Sequence, residues 1–350
     1  MRIPLTAVDL FAGAGGTTQG LKDAGFRVLA AIENDHDAVA TYLANHPEVT
    51  VLDRDIRRVQ APALARRLGG RRIGVLTACP PCQGFSTLGG GDTADPRNEL
   101  VVTVVRFADH LRPWAILLEN VPGLASDRRL RALLGRLDKA YAVRQYLVDA
   151  ADFGVPQHRR RVIVLAVDRE LGAELPANLA DLLPEDFDTT RRTAWSALAV
   201  AEHLTEGDDA VHRARKASPI VVRRIKVAPA GGGRADLPPE LRLACHNRLD
   251  GTHATSVYGR IAPDAPSPTM TTRCTIPSCG RFIHPFKHRG LTLREAALLQ
   301  SFPLTYKFEG SHQTIERQIG NAVPVRLSYA LAAIVQHLAR GACRARELAA

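Results

Sequence analysis

From residue 6 to residue 137, short apolar runs alternate with amphipathic stretches, and this alternation limits the chain to few folds. "TAVDLF" (6–11), "FRVLAAIE" (26–33), "VTVLD" (49–53), "IGVLTA" (73–78) and "WAILLE" (114–119) read as strands. Helical patterns fall at 17–24, 36–46, near 59–68, at 98–111 and at 127–137. Strand and helix in turn predict an α/β fold with a doubly wound, mostly parallel sheet, because parallel neighbours need a crossover connection. "YAVRQYLVDA" (141–150) and "RVIVLAV" (161–167) break the rhythm with only a short loop between them, and read as an antiparallel hairpin at the sheet edge. From about 170 to 288 the pattern is lost in Pro, Gly and Arg, so a smaller, irregular, mostly-β domain is expected there. Regular structure resumes at "LTLREAALLQSF" (291–302), and the last helix carries Leu327, Leu331, Ile334, Val335 and Leu338 on one face. That stripe needs a core, and the first sheet is the only large one. The expectation is a discontinuous domain, 1–169 plus 289–350, around an insert at 170–288.

Charge narrows the partners. Lys and Arg number 46 against 36 Asp and Glu, a formal net charge of +10. That excess favours a polyanion such as nucleic acid, although a basic enzyme without one fits the charge equally well. The apolar run at the start is too short for a secretory leader, and no stretch approaches the ~18 uninterrupted apolar residues of a membrane span. A cytoplasmic protein, monomeric and away from membranes, is expected. Its six cysteines then read as thiols rather than a disulfide framework.

"DLFAGAGG" (9–16) places Gly13 and Gly15 after the first strand, where glycine lets backbone approach a ligand at the next helix N-terminus. The third glycine of a dinucleotide fingerprint is missing. Glu33 ends the second strand, where an acid can accept from ribose hydroxyls; Asn34 follows it. Together they suggest a nucleoside-containing cofactor without a pyrophosphate; a tight turn with a surface acid fits the same residues. Asp55, next to Ile56, can bond an adenine amino group or simply be solvated.

"TACPPCQGFS" (77–86) raises three readings for its C-x-x-C. Structural zinc needs four ligands, and the remaining close pair, Cys274 and Cys279, lies far along the chain outside any knuckle spacing, so no metal is expected. A redox pair fits the spacing but not the preceding β-α units. A nucleophilic Cys82 fits best, in a loop at the carboxyl edge of the sheet, where ligands of open α/β sheets gather. Pro80 and Pro81 stiffen the approach, while Gln83 and Ser86 offer polar groups. Cys79 then reads as a buried small hydrophobe. Glu119 ends the next strand and opens onto the same edge, suited to acid catalysis at a ring nitrogen. Arg159 and Arg161 alternate, hence share a face if extended, and guanidinium forks suit phosphate or ring-oxygen contacts. Each of these also fits a salt-bridged or solvated strand end.

"DLFAGAGG", "PPCQGFS", "ENVPG", "QHRRR", "RGLTLREAALLQSFP" and "QIGNAVP", in that order, resemble the motif series of the C5-cytosine DNA methyltransferases, over residues 5–167 and about 250–340. "YGRIAPDAPSPTMTTR" (258–273) resembles the bacterial branch. The resemblance implies a Rossmann-like class I methyltransferase fold and S-adenosylmethionine as cofactor. It implies Cys82 as covalent nucleophile, helped by Glu119, Arg159 and Arg161. It implies Phe11, Gly13, Gly15, Glu33, Asn34, Asp55, Ile56, Pro81 and Asn321 around the cofactor. The irregular region falls where the family keeps its target-recognition domain. Duplex DNA is the implied partner, with a separately acting restriction endonuclease possible and an RNA cytosine methyltransferase of the same fold as the alternative. Gln83, Ser86 and Arg97, near the nucleophile, are candidate DNA contacts. So are Arg223 and Arg224, in the stretch "VHRARKASPIVVRRIK" (211–226), which holds no acid.

Overall fold

The structure is a computed structural model that describes residues 4–81, 95–205, 207–245 and 254–349. It divides into two compact units. One comprises residues 1–153, 160–189 and 323–350; the other comprises 154–159 and 190–322.

The first unit is built on seven strands: β1 (Thr6–Leu10), β2 (Arg27–Glu33), β3 (Thr50–Asp53), β4 (Val75–Ala78), β5 (Ala115–Asn120), β6 (Tyr141–Asp149) and β7 (Arg160–Asp168). Their order is β3-β2-β1-β4-β5-β7-β6. The first five are parallel; β7 runs antiparallel between β5 and β6. Both the α/β class and the terminal hairpin match the periodicity. Helices α1 (Gly16–Asp23), α2 (His36–Asn45), α3 (Ala61–Arg67), α4 (Thr103–Leu111) and α5 (Arg128–Leu137) connect the strands. Asp35 caps α2 by accepting from the Asp37 and Ala38 amides, and Asp127 caps α5 through the Arg129 amide.

Strand alternation sorts the core. Ile116 and Leu118 of β5 face a cluster with Leu64, Phe107, Leu111 and Leu133 of α3, α4 and α5. Leu117 and Glu119 therefore face the other side, toward α1 and the closing helix α10 (Val325–Ala349). Along α10, Leu327, Leu331, Ile334 and Val335 are buried, as their spacing predicts. Its crossing with α1 is close: a Cβ on Gly20 would sit 2.4 Å from the Val325 carbonyl oxygen and 2.6 Å from Ser328 Cβ. Glycine is the residue that lets these two backbones meet.

The second unit departs from the mostly-β expectation. Among its described residues there are isolated bridges, such as Ala230 with Arg260 and Arg260 with Ile283, but no strand. Its regular elements are helices α6 (Ala194–Leu198), α7 (Pro219–Val227), α8 (Leu293–Leu299) and α9 (His312–Asn321). The basic run around 219–227 is helical because Ser218-Pro219 supplies an N-terminal stop with proline at the first position, and Ile225 anchors one face against Ala228 and Ile283. Residues 289–322, grouped with the sheet by periodicity, fall in this unit. α8 is buried at all seven residues and packs on α6 and α9, and its Thr292–Glu295 capping box fixes its start.

Candidate active site

The turn after β1 takes three left-handed residues, Phe11 (φ 60°), Gly13 (φ 54°) and Gly15 (φ 89°). A Cβ on Gly13 would meet nothing within 4 Å, so this backbone faces open space. Glu33 holds the turn. Its Oε2 accepts from the Gly13 amide at 2.8 Å, and its Oε1 from the Asn34 and Asp35 amides at 2.8 and 2.9 Å. Two donors on Oε1 and one on Oε2 leave room for one further donor on Oε2. Asn34 itself is exposed, Phe11 is half-buried, and Ile56 is buried in the sheet core. Asp55 caps a short 3-10 turn and is gripped by Arg57, whose Nε lies 3.0 Å from both carboxylate oxygens. That grip pulls its pKa down to about 2, so Asp55 is an anion whose oxygens already serve Arg57.

The ends of β4 and β5 form the chemical centre. Glu119 is 6% exposed. Arg161 Nε, at the start of β7, lies 2.8 Å from Glu119 Oε1. The Cys79 thiol donates to Glu119 Oε2 at 3.0 Å. Cys79 is thus no inert apolar filler, as the sequence suggested. The parallel register pairs Ala78 with Leu118, so the next residues along, Cys79 and Glu119, are neighbours at the edge. That register was the signal that could have revealed the contact. The Cys79 amide donates to the Leu10 carbonyl at 3.3 Å, and Asn120 Nδ2 to the Pro80 carbonyl at 2.9 Å, which fixes the segment leading to Pro81. Cys82, Gln83 and Ser86 lie outside the described residues.

Thr17, Thr77, Cys79, Glu119, Ser328 and Leu331 line a small cavity beneath this edge. Ser328 Oγ is buried there with no hydrogen-bond partner among the described residues. Below lies Asp9, unremarked in the sequence, 2% exposed and accepting from Thr77 at 2.7 Å and Thr18 at 2.9 Å. Burial pushes its pKa up to about 7 against the pull of those two hydroxyls. Thr18 is also bonded to Tyr42 at 2.8 Å, so a buried polar chain underlies the glycine turn. Among the described residues no three His, Cys, Asp or Glu side chains gather to hold a metal.

Several candidate contacts sit differently from their expected use. Arg97 is exposed in the first unit and paired with Asp95, its Nε 3.0 Å from both oxygens. Arg159 lies one residue before β7 and belongs to the second unit. It is 3% exposed and donates to the carbonyls of Met270, Gly320 and Ala322 at 3.0–3.2 Å, a structural tie rather than a fork toward solvent. Gly320 lies within α9, and a Cβ there would sit 2.3 Å from the Thr271 carbonyl; Asn321, exposed, ends the helix. Arg224 corrects the reading of 211–226 as a uniform DNA face. It is 7% exposed, donates to the Leu241 carbonyl at 2.7 Å and stacks over Tyr258, because it falls on the inner side of α7 with Ile225. Arg223, one residue earlier, is exposed.

The model of the C-5 cytosine-specific DNA methylase family matches residues 5–337. A type II methylase of Herpetosiphon aurantiacus, M.HgiDII, is 34% identical over 95% of this chain and 96% of its own length. A type II methyltransferase of Haemophilus parahaemolyticus, M1.HphI, is 33% identical over 95% of this chain and 86% of its own. Among solved structures, a DNA modification methyltransferase encoded within an E. coli prophage superposes with a TM-score of 0.72 at 23% identity, covering 95% of this chain and 99% of that one.

Proposed function

This chain belongs to the C-5 cytosine-specific DNA methylases, enzymes that methylate carbon 5 of cytosine in DNA, and on that premise we propose how its residues divide the work. The methyl donor is S-adenosylmethionine, which supplies an electrophilic methyl when bound. The first unit fits such a group: Gly13 presents open backbone, Glu33 Oε2 keeps one acceptor site, and Ser328 Oγ is a buried hydroxyl awaiting a partner. Phe11, Gly15, Asn34, Asp55, Ile56 and Pro81 complete the proposed cofactor set of the first unit.

Cytosine C5 is a weak nucleophile. Addition of the Cys82 thiolate to C6 makes an enamine, and cysteine suits the task because its thiolate forms near neutral pH and leaves readily. Charge then builds at N3, where Glu119 gives or shares a proton. Arg161 pairs with Glu119; once C5 carries the methyl, its proton passes to solvent water and the Cys82 thiolate leaves C6, which restores the enzyme. A thiol cannot reach C6 inside a stacked duplex, so the target base is flipped out at a cost of a few kcal/mol. The observation that carries this reading is the buried Glu119 carboxyl, one oxygen on Arg161 and the other on Cys79, three residues from Cys82 in sequence.

The type II relatives support a sequence-specific duplex DNA substrate, with a separately acting endonuclease as the proposed partner; a monomer working in the cytoplasm is proposed beside it. Cys82→Ala should abolish methyl transfer from labelled S-adenosylmethionine and covalent trapping by 5-fluorocytosine DNA, while cofactor binding persists. Trapping that survives the substitution would refute the nucleophile. Running the same assay on tRNA separates the DNA enzyme from an RNA one.

A further inference from the structure

We infer that Cys79 is a positioning residue for this reaction: its thiol orients the Glu119 carboxyl toward the substrate ring. The inference rests on the reading of Glu119 as the group that serves N3, and adds a role for the first cysteine of the C-x-x-C.

A carboxyl that must present one oxygen to a ring nitrogen has to be stopped from rotating about its last bond. One anchor leaves that rotation open, and two anchors on different oxygens close it. Here Arg161 Nε draws Oε1 into an ion pair at 2.8 Å without hydrogen-bond geometry, and the Cys79 thiol supplies the directional bond, to Oε2 at 3.0 Å. Both anchors are themselves fixed. Arg161 sits in β7, whose Ile163 pairs with Glu119 across the ladder. Cys79 follows β4 directly, with its amide on the Leu10 carbonyl. The carboxyl is 6% exposed, so water does not compete for its orientation.

The choice of thiol has a chemical sense. A charge-assisted donor binds the ionised carboxylate most strongly, and one is already present in Arg161. A second cationic donor would keep the carboxyl ionised, with no proton to give to the base or share with it. A thiol is a weak donor. It fixes direction while adding little to the stability of the charged form.

The test is a double-mutant cycle on the full chain with labelled S-adenosylmethionine and a DNA substrate. Cys79→Ala is expected to lower kcat about 5- to 20-fold, the worth of one hydrogen bond in the transition state, with KM for DNA and for cofactor changed less than about twofold. Cys79→Ser, which keeps a donor, should recover at least half of the lost rate. In a Glu119→Gln background the same Cys79→Ala change should cost less than about twofold, because the partner it orients is already altered. A Cys79→Ala enzyme with wild-type kcat would overturn the inference. So would a loss that Ser does not rescue, or one that recurs in full beside Glu119→Gln, since either marks a purely structural defect. Wild-type kcat in Glu119→Gln alone would instead remove the role of Glu119, and this inference with it.

Discussion

The two units solve the same problem by different means. Every buried amide and carbonyl needs a partner. In the first unit the ladders of seven strands and the connecting helices supply them. The second unit has no strand among its described residues, and buried arginines take over. Arg260 donates to the carbonyls of Ile225, Ala228, His284 and Lys287. Arg159 serves Met270, Gly320 and Ala322, Arg224 serves Leu241, and Arg294 serves Tyr306. Arginine suits this use because its planar fork carries five N–H donors and no acceptor. An excess of arginine in an irregular stretch is therefore partly internal scaffolding, and only the remainder is available to a polyanion.

The sharpest way to break this contrast is Arg260→Met. It leaves several carbonyls orphaned at 1–3 kcal/mol each before relaxation, so a loss of about 3–5 kcal/mol is expected. The chain has two tryptophans, Trp114 buried beside β5 and Trp195 packed on Phe286 in the second unit. With one or the other replaced by Phe, fluorescence during urea unfolding reports each unit in turn. The Arg260→Met loss should appear at Trp195, and an unchanged midpoint there would end the scaffolding argument.

Gly20→Ala is the counterpart in the first unit. The added methyl meets Val325 and Ser328 backbone and side-chain atoms inside contact distance, so α10 must move off α1. A loss of about 2–4 kcal/mol is expected, read at Trp114. Full stability in this variant would show that α10 closes the sheet more loosely than its burial implies.

Smaller still is a pH effect confined to the first unit. Burial raises Asp9 from 3.8 to about 7, so its contribution to stability is complete below about pH 4 and is lost as pH rises toward 7. Asp9→Asn removes the titration. Wild-type stability should fall by about 2–3 kcal/mol relative to that variant between pH 4.5 and 7.5. Parallel urea midpoints for the two proteins across that interval would count against the buried acid.

The smallest effect separates neighbours on α7. Arg223→Ala should leave stability within about 0.5 kcal/mol and lower the salt dependence of DNA binding by about one phosphate contact. Arg224→Ala should instead destabilise the second unit, because its guanidinium lies against Leu241 and Tyr258. If both variants shift the salt slope equally and neither unfolds early, the burial of Arg224 is not maintained in solution.

The sequence by itself determined most of the first unit. Period-2 and period-3.6 patterns located all seven strands to within two residues, the edge hairpin, and the apolar stripe of α10. Strand-end positions marked Glu33 and Glu119, because in a parallel sheet the residue that ends a strand must open onto the ligand edge. Motif order carried the family. Tertiary structure alone decided how side chains at those positions are spent. Cys79 became a donor to Glu119 through the register of β4 against β5, which is a long-range property. Asp9 became a buried acid through Thr18 and Thr77, nine and 68 residues away. Arg159 and Arg224 turned inward because carbonyls from distant segments needed donors there. Local patterns fix which way a backbone runs and which face is apolar. They carry no information about which distant carbonyl or carboxyl a long polar side chain will meet, since that depends on how separate segments pack.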